Sequence, residues 1–216
     1  MGKGTRFTVD DIFAGTRVRR TDLAKARIFL AIFERGQSDT YTRRSLCQDL
    51  SLRPATVSAM VGELIADGLV AETDRSPTTG KGRPESFLQL QANRMVTAAI
   101  EVTSRTVRGA LINLEGRTVA ESSLAIEEDE AAQVNLLTAF KTVAGDVLDE
   151  RPAGADIAGI GIALPGIVDE RRMTWISAAR WPRMANLDFH GLAETTGLKV
   201  RIERKRQSEL RAHLQN

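Results

Sequence analysis

Apolar residues recur at helical spacing between Asp22 and Arg35, where Leu23, Ala26, Ile28, Leu30, Ile32 and Phe33 form one broad face. Asp22 stands where an N-cap is expected, and Gly36 where a helix stops. A second helix is predicted over Arg43–Leu50, capped by Thr42, with Leu46 and Leu50 four apart on one side. Ser51-Leu52-Arg53 makes a tight connection. Pro54 then takes a first helical position, where its missing N–H costs nothing. The third helix carries Val57, Val61, Leu64 and Ile65 as a stripe and halts at Gly68, a residue suited to a left-handed helix end.

The period then changes. Leu69–Thr73 reads as a strand, DRSPTTGKGRP as a polar loop rich in Gly and Pro, and Glu85–Gln91 as the returning strand. Two helices joined by a tight turn, followed by a hairpin with a basic tip, make a winged helix-turn-helix over residues 22–92. The third helix opens with small residues, Ala55, Thr56, Ser58 and Ala59, which would let its backbone approach base edges in a major groove. Arg53 precedes it and would reach a guanine or a phosphate. Arg43 and Arg44 start the second helix and would hold the DNA backbone. Lys81 and Arg83 would carry the wing into the minor groove or onto phosphate. For any one of these residues, a phosphate or solvent role outranks a base contact. A helical bundle that binds protein is the other reading. Residues 1–21 include Arg17, Arg19 and Arg20, a basic arm that either touches phosphates or is simply solvated.

From residue 93 the pattern is strand-rich. MVTAAIEVT, TVRGALINLE and RTVAESSLAIE read as an antiparallel meander. Asp129–Asp149 is an amphipathic helix with Val134, Leu137, Phe140, Val143, Val147 and Leu148 on its apolar side. Ile157–Leu164 is a buried strand ending in a Pro-Gly turn, Leu187–Thr195 a short helix and Lys199–Ile202 a last strand. That order matches one lobe of an RNase H-like (actin/hexokinase-type) α/β domain. The fold class is therefore α+β: a winged helix-turn-helix, then this lobe over residues 93–203.

Composition narrows the function. The 216 residues are 42% hydrophobic and 27% charged, proportions of a soluble chain with room for two modest domains or one large one. No apolar run approaches the roughly 20 residues of a membrane span. The opening MGKGTRFTVDDIFAG lacks a signal-peptide core, so a cytoplasmic protein with no membrane partner is expected. Cys47 is the only cysteine, which leaves no intrachain disulfide and no multi-cysteine zinc site; neither metal nor cofactor is expected. Residues 1–90 hold fourteen Lys/Arg against eleven Asp/Glu, while residues 91–200 hold eleven against fifteen. The basic first part points to an anionic partner, double-stranded DNA.

The winged helix followed by Gly82-Arg83-Pro84, the meander, and the stretch IALPGIVD together resemble the repressor branch of the ROK family (repressors and sugar kinases), which includes the xylose and N-acetylglucosamine repressors. Trp181, Leu187-Asp188 and Gly197-Leu198 stand at matching places, and the resemblance runs from about Thr21 to Glu203. It implies a repressor of carbohydrate genes, a homodimer or tetramer, and a sugar or sugar phosphate effector. It also implies ligand contacts near Pro165, Gly166 and Asp169, although a purely structural LPG turn is the stronger alternative. Kinases of the family open their first hairpin with a glycine-bearing phosphate loop. Here Ile100–Arg105 has no glycine, which argues against ATP binding and against an enzyme.

After the last strand the family places Glu-Asn-Asp, whereas this chain reads Glu203-Arg204-Lys205-Arg206. Arginine cannot accept a hydroxyl hydrogen bond there. Arg-Lys-Arg can be encoded so that the next frame reads Glu-Asn followed by Asp or Glu. The tail 204–216 is thus expected to be a frameshift product, with a natural divergent terminus as the alternative. The expected function is DNA-binding regulation with the sugar response lost or impaired. The alternative is a ligand-independent winged-helix protein whose exposed sheet binds a protein partner.

Overall fold

A computed structural model of the chain describes residues 20–35, 41–74, 86–103, 105–127 and 132–205. The chain divides into two units at Arg94/Met95, close to the boundary expected from the change of period. The expectations for the basic arm before residue 20, the hairpin tip and the tail beyond Lys205 lie outside the described residues.

The first unit has three helices, α1 (Arg20–Arg35), α2 (Arg43–Leu50) and α3 (Pro54–Ala66), with strands β1 (Tyr41–Thr42), β2 (Val70–Asp74) and β3 (Ser86–Leu90). Its sheet has the order β1-β3-β2, all antiparallel. Two expectations for α1 are corrected. The helix includes Asp22 in its first turn, where a carboxylate complements the helix dipole instead of capping the end. Its core stripe is Ala24, Ile28 and Ile32, spaced by four, whereas Leu23, Ala26 and Leu30 are half-buried and Phe33 is 42% exposed. A unit this small covers one narrow stripe of a helix, so the broad apolar face overstates what is buried. In α3 the buried set is Val57, Met60, Val61 and Leu64, with Ile65 only half-buried.

Caps fix the middle of this unit. Thr42 accepts from the Ser45 N–H at 3.2 Å while its own N–H donates to Ser45 Oγ at 2.9 Å, a reciprocal capping box. Ser51 takes a left-handed φ of 53° and the Leu52 N–H closes on the Cys47 carbonyl at 3.1 Å. Pro54 then starts α3. At its far end Gly68 has φ 72° and the Leu69 N–H returns to the Leu64 carbonyl.

The second unit is built on a five-stranded mixed sheet. Strands β4 (Met95–Val102), β5 (Thr106–Asn113) and β6 (Thr118–Ala125) form the expected antiparallel meander. Helix α4 (Ala132–Asp149) crosses the sheet and delivers β7 (Asp156–Leu164) parallel to β4. Strand β11 (Val200–Arg204) then lies parallel to β7. Alternation sends Val96, Ala98, Ile100 and Val102 of β4, with Ile160, Ile162 and Leu164 of β7, to one buried face. Leu136, Phe140, Val143 and Val147 of α4 complete the same core. Gly109 lets the helix come close, since a Cβ there would meet Val143 Cγ1 at 2.5 Å. Val134, expected in the apolar face of this helix, is 67% exposed, one turn before the covered stretch.

Between β7 and β11 the structure departs from the sequence reading. Strands β8 (Ile167–Asp169), β9 (Thr174–Ser177) and β10 (Leu187–Asp188) form a small antiparallel sheet that the sequence did not reveal. The helix expected from Leu187 begins at His190 instead, as α5 (His190–Thr196), because Leu187 and Asp188 pair with Trp175 and Thr174. Buried Phe140 meets Trp175 and Phe189 edge to face, at 6.5 and 5.0 Å between ring centroids.

Phe140→Ala should lower the stability of the second unit by about 3–5 kcal/mol, a large aromatic truncated in a closed core. Thr42→Ala should cost the first unit about 1 kcal/mol through the lost cap. Urea titrations followed by far-ultraviolet circular dichroism check both.

Candidate nucleic-acid interface

Helix α3 starts at Pro54 after Arg53, whose backbone is extended and whose side chain makes no capping hydrogen bond. The first turn therefore has no side-chain acceptor from the cap position, and its positive end is available to an anion. Ala55, Ser58 and Ala59 are exposed and Thr56 is half-buried, so the small residues expected to face outward share an accessible side. Arg53, directly before the helix, and Arg44, on α2, are both exposed.

Arg43, expected to hold a DNA backbone, makes contacts within the first unit. Its Nε is 2.8 Å from Glu72 Oε1 on β2, and its Nη1 donates to the Ser58 carbonyl of α3 at 3.0 Å. The guanidinium, carried by the first residue of α2, therefore reaches a carbonyl within α3 and the middle of strand β2. Sequence gives no local cue for this contact, because Glu72 lies 29 residues away. Lys81 and Arg83 lie outside the described residues.

The far end of α3 is tied to α1. Lys25 Nζ lies 2.7 Å from Asp67 Oδ2 and 3.2 Å from Glu63 Oε2. The hydrogen bond to Asp67, assisted by Glu63, holds the ammonium charged above its ordinary 10.5, against a smaller opposing effect of burial. Arg94 Nε donates to the Asp67 carbonyl at 2.9 Å and so meets an orphan acceptor at the helix end.

In the second unit the ligand positions implied by the resemblance are engaged in their own turn. The Pro165 carbonyl accepts from Trp175 Nε1 at 2.7 Å. Gly166 has φ 83°, and a Cβ there would press on the Ser177 carbonyl and on Ala178. Asp169 Oδ1 accepts the N–H groups of Arg171 and Arg172, each at 3.1 Å. All three residues shape the β7–β8–β9 connection. The β4–β5 turn is closed by Thr103, whose N–H donates to the Thr106 carbonyl at 2.9 Å. Lys205 Nζ reaches Glu101 Oε2 at 2.9 Å. The Asp188 carboxyl is held below its usual range, first by the His190 N–H and then by the His190 ring, 2.6 Å away.

The sheet face opposite α4 is lined differently from the core. Ala99, Ala110, Gly161 and Ala163 floor a trough of about 870 Å³, edged by Glu101, Arg108, Glu121, Arg201 and Glu203. Among the described residues no group of three or more His, Cys, Asp or Glu side chains could hold a metal. No helix of the described residues is long and apolar enough to cross a membrane.

Gly166→Ala should destabilise the second unit by roughly 1–3 kcal/mol, because a strained φ and a backbone clash combine. Circular-dichroism melts measure it. For Lys25 the sign is set by a raised folded-state pKa: its contribution is complete below 10.5 and disappears as pH rises through the higher value. The gap in urea midpoint between wild type and Lys25→Gln should therefore be open at neutral pH and close in alkali.

No family model matches the sequence. The xylose repressor of Caldicellulosiruptor bescii is 29% identical over 141 residues, which are 63% of this chain and 34% of that protein. A provisionally named xylose repressor of Caldicellulosiruptor sp. strain Rt8B.4 is 29% identical over 139 residues, 64% of this chain and 35% of that one. The chain thus spans about a third of the curated relatives it matches. The crystal structure of a ROK family transcriptional regulator, a homologue of the E. coli Mlc protein, superposes with a TM-score of 0.63 at 22% identity, over 85% of this chain and 46% of that one. The chain is thus similar in sequence to two xylose repressors and in fold to a ROK family transcriptional regulator.

Proposed function

We propose that the chain is a DNA-binding transcriptional regulator, with residues 22–92 forming a winged helix-turn-helix and α3 entering the major groove. The observation that carries this reading is the start of α3: a helix end with no side-chain cap, exposed small residues, exposed Arg53 directly before it and exposed Arg44 on α2. Such a helix end favours phosphate, and alanine and serine side chains keep the backbone close to base edges. Two copies on two half-sites would supply specific affinity that one winged helix lacks. A DNA partner puts the protein in the cytoplasm. The xylose repressors among its relatives support carbohydrate genes as the target and a sugar or sugar phosphate as the effector.

Sugar phosphorylation is the disfavoured reading. The β4–β5 turn lacks glycine, and the Thr103 N–H already has an acceptor within the hairpin. Pro165, Gly166 and Asp169 serve their own turn in this reading. Protein binding through the trough opposite α4 is the second reading, favoured by its small-residue floor and accessible face.

Selection of duplexes from a random library by the full chain, followed by anisotropy titrations, tests the proposal. Log affinity should fall with log salt by roughly 0.9 per phosphate neutralised. Arg44→Gln and Arg53→Gln should each flatten that slope by about 1. Ser58→Leu should erase preference for the selected duplex over a scrambled one. Affinity for no duplex, or affinity indifferent to salt, defeats the reading and favours a protein partner.

A further inference from the structure

Arg43 is the residue whose placement the DNA reading does not absorb. A phosphate-gripping arginine should point its donors at solvent. Here Nε faces the Glu72 carboxylate at 2.8 Å, and Nη1 faces a mid-helix carbonyl, Ser58 O, at 3.0 Å. The side chain is only 34% exposed, and Glu72 is 37% exposed. The carbonyl it meets belongs to Ser58, within the exposed small-residue face of α3. The carboxylate it meets stands on β2, the strand that runs out toward the hairpin tip and pairs through Glu72 with Leu88 of β3. Arg43 itself is the first residue of α2, directly after the Thr42 capping box. One planar guanidinium thus bridges three elements, and the two donors lie in a fixed fork that a lysine cannot reproduce.

We propose that Arg43 is a positioning residue for DNA reading: it sets the hairpin strand against α3 and makes no phosphate contact of its own. The inference rests on the DNA reading above. The two contact surfaces of that reading are kept in register by this guanidinium, and Glu72 gains a role that an acidic residue near DNA would not ordinarily have. A carboxylate close to a polyanion normally opposes binding, so neutralising it normally tightens binding. If Glu72 anchors Arg43, neutralising it should do the reverse.

The experiment uses the full chain and the duplex selected by the wild type, with a scrambled duplex of equal length as reference. Arg43→Gln, Arg43→Lys and Glu72→Gln are titrated by anisotropy across a salt series, and thermal melts confirm that each variant is folded. The expected result is a loss of about tenfold on the selected duplex for all three, the scale of one charge-assisted hydrogen bond. Little change is expected on the scrambled duplex, and the salt slope should be unaltered. The double variant Arg43→Gln/Glu72→Gln should be no worse than either alone. The proposal is overturned if Arg43→Gln flattens the salt slope by about 1, if Arg43→Lys binds like wild type, or if Glu72→Gln tightens binding. Unchanged affinity in all three variants overturns it as well. A wild-type chain that enriches no duplex is a different failure: the DNA reading falls, and the proposal falls with it.

Discussion

Thr42 is the point on which the first unit turns. It belongs to a two-residue strand paired with β3, and the same residue caps α2. A helix start has four N–H groups without intrahelical acceptors, and a sheet edge has a row of unmet partners. One threonine answers both needs, so the direction in which α2 leaves the sheet is set by a single residue. Everything after it inherits that direction. The turn at Ser51, the entry of α3 at Pro54 and the reach of Arg43 to Glu72 all depend on where α2 begins.

The second unit rests on a different kind of constraint, the close approach of α4 to β5 over Gly109. Dense packing under that helix explains why the core continues from β4 through β7 to the aromatic cluster of Phe140, Trp175 and Phe189. The opposite face of the same strands is floored by glycine and alanine and edged by charges. A single alternation along β4 and β7 therefore produces two surfaces of opposite character.

Features encoded within a few residues were legible in the sequence. The α2 cap, the proline at the start of α3, Gly68 and the alternating strands β4 and β5 each depend on neighbours in the chain. What escaped was set at a distance. Strand β1 has two residues, too few to show a period, and exists because β3 pairs with it. Leu187-Asp188 looks helical beside the residues that follow, yet it pairs with β9. The buried stripe of α1 is narrower than its apolar spacing suggests, because how wide a stripe is buried depends on what packs there. At the candidate interface, the small residues of α3 could be read from their spacing alone. The partner of Arg43 could not, since nothing near Glu72 in the chain announces it.

The placement of the aromatic residues has an optical consequence. Both tryptophans of the chain, Trp175 and Trp181, are buried in the second unit, while its one tyrosine, Tyr41, is buried in the first. Each unit thus carries its own natural chromophore. Indole emission, excited beyond the phenol band, follows only the sheet unit and its Pro165 hydrogen bond. Whether the sheet unit senses a ligand held by the helical unit can therefore be watched in unlabelled protein, through indole emission alone.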